Sequence, residues 1–411
     1  MGKRNRKNQG KVEQLVDENV LPFLEVGYEE NDPLFSMGIH PSEPIFLSGL
    51  VSGNVYLYRY DLERLKDYCL ENYLKPNGKS LIHKDTGDET EKSKEIWKVQ
   101  NNLQFRNISK KSQNDESDEE GGIVLGWKTK RHKGSCRSIC LENSGEYVYT
   151  VGIDKVIKKA SIETGKVICK TDFKKSIGED VNSMILSNSN SFLICGTELG
   201  DIKVFDTRSL NVVFDISKVH NDQVNSMINC SATSNYQVYS VGSTTLSKVD
   251  FRKGIISQSD DQDDEILSLC FPDIEDSSTI VCGMSEGIVT VWKDKNKFQD
   301  QLTRVKISPD VSVDAVISTM DYDKDEGNCF WCGDSNGMLN KIDCKKGKIV
   351  EMRVHDETGE VLDLDIDYDY RLVSSSMEKL KIWDSFDFEK EADEDPDSSF
   401  DSDSDSDSDS D

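Results

Sequence analysis

The sequence predicts an all-β chain: a closed ring of seven four-stranded blades, a seven-bladed β-propeller, with a disordered basic arm before it and an acidic tail after it. Three observations predict it. A strand, a glycine-bounded turn and a second strand recur seven times along the chain; the copies return at a nearly constant interval; and no single copy can bury both of its faces, so the units must stack.

The clearest copy is Phe192 to Arg208, FLICGTELGDIKVFDTR. Alternating apolar residues run to Gly196, a short turn closes at Gly200, and a second alternating run through Ile202, Val204 and Phe205 stops at Asp206. Alternation at period two marks a half-buried strand, and glycines around a short loop mark a hairpin. The pattern returns from Phe46, Ile280, Phe330 and Leu372, with shorter copies at Tyr149 and Tyr239. Counted at the first turn residue, the copies begin at Gly49, Gly152, Gly196, Gly242, Gly283, Gly333 and Ser374, and from Gly152 onward the steps lie between 41 and 50 residues. Strand-built repeats of about 40 to 45 residues are the mark of a WD-type propeller.

In chain order, residues 1–18 form the arm, with Lys3, Arg4, Arg6, Lys7 and Lys11. Such a cluster reads as an import signal, an RNA contact or a solvated tail. Residues 19–384 form the ring. Asn19 to Tyr28 has strand character and is placed to complete the blade that ends at Trp383, joining the two chain ends. After the first blade, Pro33 to Tyr60, an insertion covers residues 61–122. Leu62, Leu65 and Cys69 fall on one face of a helix there, a strand follows between Ile96 and Phe105, and the run NDESDEEGG is too charged to pack. Blades two to seven then follow with short connections. Trp292 and Trp383 occupy the position that Tyr58 and Phe205 fill elsewhere, where large aromatics pack between blades. Residues 385–411 end in alternating Asp and Ser and hold nothing apolar enough to fold.

The formal charge of the 411 residues is -27; residues 389–411 carry twelve acids and one lysine, a net of -11, which leaves -16 for the rest. The folded part is itself acidic, so a long grip on nucleic acid phosphate is disfavoured as the main activity. The eleven cysteines fall singly, several inside strand patterns, as buried free thiols do in a reducing compartment. No apolar run reaches the 18 or so residues needed to span a bilayer, so no membrane is expected.

No catalytic constellation emerges. Among His40, His83, His132, His220 and His355, the last three stand just before a repeat's first strand, where WD-type blades use a histidine for hydrogen bonds within the blade. Cys329 and Cys332 form a CxxC, but inside a strand their odd separation sends the two thiols to opposite faces, and no second pair exists. The glycine-bounded turns join strands and none is a nucleotide-binding loop. No cofactor and no metal are expected.

Candidate partner-binding residues come from charge instead. Lys128 to Lys175 holds twelve Lys or Arg against five acids, and Lys128, Lys130, Arg131, Lys133 and Arg137 lead it. This stretch reads as a positive patch for an acidic partner or a weak RNA contact, or as a scattered solvated face. Two strands exit in an Asp-x-Arg pattern, Asp206 with Arg208 and Asp250 with Arg252. In WD proteins that act as substrate receptors of cullin-type ubiquitin ligases, a related arrangement docks the ligase adaptor, while in other blades the Arg only bonds nearby backbone.

Several stretches resemble the WD repeat-containing protein 55 family and its fungal members: HKGSCRSICLENSGEYVYTVGIDKVIKKASIETGKV from His132, GTELGDIKVFDTR from Gly196, and HDETGEVLDLDIDYDYRLVSSSMEKLKIWD from His355. The opening DPLFSMGIHPSEPIFLSGLVSGNVYLYRY fits the same pattern, so the resemblance spans nearly all of Asp32 to Asp384. It implies a nuclear, mostly nucleolar scaffold that supports ribosomal RNA production and large-subunit assembly through pre-ribosomal protein partners. One departure is that Lys159 and Ala160 stand where the family pattern expects Trp and Asp.

Overall fold

Half-buried strands have to find a partner on each face, and in the computed structural model they do so by closing a ring of seven blades. The structure describes residues 22–66, 97–100 (backbone), 122–173, 179–230, 234–273, 276–319 and 328–383. The arm, most of the insertion with Cys69 and His83, and the tail lie outside the described residues.

The chain opens with β1 (Pro22–Gly27), followed by β2 (Leu34–Ile39), β3 (Ile45–Leu50) and β4 (Asn54–Tyr60). The short β5 (Trp97–Gln100) lies within the insertion, and β6 (Ile123–Lys130) follows it. From the central channel outward the first blade reads β2, β3, β4, β6, so the insertion interrupts that blade before its last strand. The second blade holds β7 (Cys136–Leu141), β8 (Tyr147–Gly152), β9 (Val156–Ser161) and β10 (Val167–Asp172). The third holds β11 (Val181–Leu186), β12 (Phe192–Thr197), β13 (Ile202–Asp206) and β14 (Val212–Ile216). The fourth holds β15 (Val224–Asn229), β16 (Gln237–Gly242), β17 (Thr245–Asp250) and β18 (Gly254–Gln258). The fifth holds β19 (Ile266–Cys270), β20 (Thr279–Met284), β21 (Ile288–Lys293) and β22 (Thr303–Lys306). The sixth holds β23 (Val313–Ser318), β24 (Cys329–Asp334), β25 (Met338–Asp343) and β26 (Lys348–Val354). The seventh joins β27 (Asp363–Ile366), β28 (Leu372–Ser375) and β29 (Lys379–Trp383) to β1, with β5 parallel to β1 on its outer edge.

The two ends of the described chain therefore lie side by side, Pro22 against Trp383. Residues 62–66 are helical, and Leu65 is buried against the seam between the seventh and first blades.

Seven apolar clusters account for the core, one per blade interface. Phe23, Val26 and Val373 meet Phe46 and Tyr58 between the seventh and first blades, and Ile45 and Leu57 meet Ile139 and Ala160 between the first and second. Tyr149 meets Phe205, Val204 meets Val249, Tyr239 meets Trp292, Val291 meets Phe330, and Trp331 meets Trp383 at the remaining five. Neighbouring side chains such as Val204 and Phe205 point to opposite sides of their strand and enter different clusters, which is why both faces of the third strand are apolar.

The channel has a construction of its own. In blades one to six the innermost strand slips register after its first residue, at Leu34/Ser36, Cys136/Ser138, Val181/Ser183, Val224/Ser226, Ile266/Ser268 and Val313/Ala315. A bulge bends its strand and re-aims a side chain. Here it turns Phe35, Arg137, Asn182, Asn225, Leu267 and Asp314 toward the channel mouth, where Asp363 of the seventh blade joins them around a cavity of about 340 Å³. The serine after the bulge ties neighbouring blades together: Ser36 Oγ donates to the Cys136 carbonyl (2.9 Å) and Ser268 Oγ to that of Val313 (3.2 Å).

Candidate protein-interaction surface

Antiparallel blades send their connections alternately to two faces. The loops that lead from one blade's outermost strand to the next blade's innermost strand share a face with the turns between second and third strands; this is the loop face. The other connections form the opposite face. Among the described residues the loop face carries twenty acids against four bases, and the opposite face twelve acids against eleven bases. Among these described connections the net negative charge is thus concentrated on one side.

The five leading residues of the positive stretch are not brought onto one surface. Lys128 and Lys130 stand exposed on β6, the ammonium of Lys128 4.6 Å from the Tyr56 ring centre and that of Lys130 donating to the Ser52 carbonyl. Arg131, read from the sequence as a surface contact, is 2% exposed, which leaves it almost nothing to offer a partner. Its guanidinium lies 5.4 Å from the Trp127 ring centre and donates to the Gly165 carbonyl (3.1 Å). Lys133 is exposed on the loop face, and Arg137 sits at the channel mouth over Phe35 at 5.3 Å. Further along, Lys155 pairs with Asp180 (3.4 Å) and Lys159 with Glu142 (2.8 Å), so part of this charge is neutralised inside the fold. The register places Ala160, not Lys159, at the position of the blade Trp: Ala160 pairs with Val148 as Trp292 pairs with Ile280 and Trp383 with Leu372. Lys159, one residue before it, faces the next blade and covers the rings of Tyr147 and Tyr149 at 4.3 and 5.1 Å.

The two Asp-x-Arg pairs lie at the same exit of adjacent blades, on the opposite face. Asp206 accepts from the backbone N–H groups of Arg208 (3.1 Å) and Ser209 (2.9 Å), and these bonds hold its carboxyl below the usual range. The Arg208 side chain is left exposed. Asp250 instead takes both arms of the Arg252 guanidinium, at 3.0 and 2.8 Å, with Arg252 also 4.4 Å from the Tyr236 ring centre; the Arg252 fork holds the Asp250 carboxyl well below the carboxylate range. Asp343 accepts the Lys346 N–H (2.9 Å) in the same way. These aspartates build the turn into the outermost strand.

The three loop histidines serve the blades. His132 bonds Asp154 (3.0 Å) and Thr150 (2.9 Å), His220 bonds Thr245 (2.7 Å) and Ser240 (2.5 Å), and His355 bonds Ser374 (2.7 Å), which also accepts the Trp383 indole N–H (2.7 Å). Burial pushes the imidazoles of His132 and His220 down to about 4 and that of His355 to about 3. An unfolded histidine titrates near 6.5. As pH falls, the unfolded chain takes up protons first, so the stability these groups give is complete above about 6.5 and is lost toward 4. Asp363 and Asp365 act in the other direction: burial pushes their carboxyls up to about 7 and about 6, a cost at neutral pH that acid relieves. Asp363 is exposed at the channel mouth, so solvent screens its part. The three imidazoles prevail, and the urea midpoint should be lower at pH 5 than at pH 7, with a stability loss on the order of 2 kcal/mol per histidine. An equal or higher midpoint at pH 5 would contradict this balance.

Among the described residues no group of three or more His, Cys, Asp or Glu is arranged to hold a metal ion, and no helix is long and apolar enough to cross a membrane. None of the ten described cysteines forms a disulfide; Cys329 and Cys332 are both buried in β24.

A seven-bladed ring whose polar networks fasten the blades, and whose exposed chemistry lies on its two faces, is a WD-repeat propeller acting as a non-catalytic protein-interaction scaffold. The comparisons narrow this. The chain is 43% identical to WD repeat-containing protein JIP5 of Scheffersomyces stipitis over 93% of this chain and 75% of that protein. It is 42% identical to that of Meyerozyma guilliermondii (94% and 75%) and 35% identical to that of Saccharomyces cerevisiae (90% and 79%). The chain belongs to the JIP5 family of WD repeat-containing proteins. No protein-family model matches it.

Proposed function

We propose that this chain is a nuclear, mostly nucleolar scaffold of the WD repeat-containing protein 55 kind, holding pre-ribosomal proteins during ribosomal RNA production and large-subunit assembly. The observation that carries the reading is the uneven charge of the two faces, twenty acids against four bases on the loop face among the described residues. Ribosomal proteins are basic, and a rigid acidic face attracts them and repels bare phosphate. The stretches that begin at His132, Gly196 and His355 support the same assignment. Any RNA contact through Lys128, Lys130 and Lys133 is secondary. Affinity purification of the full chain from nuclear extract should return pre-ribosomal factors; a set dominated by cytoplasmic signalling proteins would overturn the proposal.

A second reading has one observation in its favour: Arg208 and Arg252 stand at equivalent exits of adjacent blades on one face. On that reading the chain is a substrate receptor of a cullin-type ubiquitin ligase, and both arginines meet the adaptor. Under the scaffold reading, Arg208→Glu with Arg252→Glu leaves adaptor capture and pre-ribosomal capture unchanged. Loss of a captured adaptor in the double variant would favour the ligase.

A further inference from the structure

The loop face carries a feature that its acidity does not explain. The turn between second and third strands carries an exposed apolar side chain in four consecutive blades: Met377 (45% exposed) in the seventh, Val51 (38%) in the first, Ile153 (43%) in the second and Leu199 (60%) in the third. In blades four to six the same turns offer Thr244, Glu286 and Asn336. Singly exposed apolar residues are ordinary, but one per blade along an unbroken arc is not scatter. The arc is also rigid. The Val51 N–H donates to the Pro33 carbonyl (3.1 Å), that of Ile153 to Ser135 (3.0 Å) and that of Leu34 to Met377 (2.8 Å), so each turn is pinned to the loop beside it. A surface already held in place costs little ordering on binding.

The surroundings of the arc specify what covers it. Across the channel mouth, loop 259–265 presents exposed Asp260, Asp261 and Asp263, while Asp264 is paired with Arg304 (3.3 Å) and Glu265 accepts from the Asn225 amide (3.1 Å). Asp314 and Asp363 line the mouth, accepting from Ser312 Oγ (2.8 Å) and the Leu364 N–H (2.9 Å), and no salt bridge to either forms among the described residues. The described chain starts at Pro22 and ends at Trp383, which pair with each other on the opposite side, and the insertion leaves from Tyr60 there.

We propose that the loop face binds a protein segment rich in lysine and arginine and interleaved with apolar residues, its apolar groups packing on Met377, Val51, Ile153 and Leu199 and its cations meeting loop 259–265 and the mouth carboxylates. This rests on the reading of the chain as a binding scaffold, though not on which assembly it serves. RNA is the wrong partner here, because phosphate is repelled by the same acids.

The test is fluorescence anisotropy of the full chain with four probes. They are a short synthetic peptide alternating Lys or Arg with Leu, the same peptide with Ser in place of Leu, a Glu–Leu peptide, and a single-stranded RNA. The first should bind, the second about tenfold more weakly, and the last two not at all. Leu199→Ser with Met377→Ser should weaken the first peptide about tenfold and leave the Ser peptide unchanged. Asp261→Lys with Asp263→Lys should weaken both, whereas Lys345→Glu with Lys346→Glu on the opposite face should weaken neither. All of these side chains lie on exposed turns or loops, so the fold is retained. Equal binding of the Leu and Ser peptides, indifference to the Leu199 and Met377 changes, or binding of the RNA would overturn the proposal. Peptide binding without pre-ribosomal capture from nuclear extract would leave this inference standing and the nucleolar reading fallen; the converse result would do the reverse.

Discussion

Gly200→Val should destabilise the ring by roughly 3 to 5 kcal/mol, more than the conformational strain of the substitution alone. Gly200 has φ +82°, a region that side chains with a Cβ rarely adopt, and a Cβ there would lie 2.2 Å from the His220 carbonyl oxygen and 2.6 Å from that of Asp222. Those atoms cannot retreat. The Gly200 carbonyl itself accepts the N–H groups of Val219 (2.9 Å) and His220 (3.1 Å), and the His220 ring is fixed by Thr245 and Ser240 of the next blade. The turn, the loop and the neighbouring blade would have to move together. Gly254→Ala provides the contrast: its φ is +89°, but nothing lies within 4 Å of its added carbon. It should cost only the strain, about 1 to 2 kcal/mol. Denaturant midpoints of the two variants would decide, and equal losses would show that the close approach at Gly200 carries no weight.

The second large effect concerns the seam where the ring closes. Leu24 is fully buried in β1, paired in register with Ile382 of β29 and packed among Phe23, Val26, Tyr58 and Leu380. Leu24→Asp removes that packing and places a carboxylate among these apolar side chains. A loss of about 3 to 5 kcal/mol is expected. Because β1 holds the first and last blades together, protease sensitivity should rise along with the loss of stability. Val213→Asp, on the exposed outer strand of the third blade at 44% exposure, should cost no more than about 0.5 kcal/mol. Parity between the two variants would mean that closure through β1 does not hold the ring.

Much of the fold was legible because its signals are local. A period of two, a glycine at the turn and a large aromatic in the third strand are properties of neighbouring residues, and they located the hairpins that became β3–β4, β12–β13 and β20–β21. What stayed hidden depends on stacking. The bulges interrupt the alternation that reveals a strand, so the residues lining the channel mouth give no alternating signal. A recurring signal was nevertheless present: Ser36-Met37, Ser183-Met184 and Ser226-Met227 repeat, with Ser138-Ile139 and Ser268-Leu269 as variants. The burial of Arg131 was not legible either, since a basic run gives no sign of which member turns inward. The apolar arc was missed because Val51, Ile153, Leu199 and Met377 lie far apart in sequence and meet on one face only after the ring has closed.

The most direct test of the account is sedimentation of the tagged full chain from nuclear extract through a density gradient. The account predicts co-migration with pre-ribosomal particles, and return to the free fractions on Leu199→Ser with Met377→Ser. Migration of the unaltered protein in the free fractions alone would contradict it.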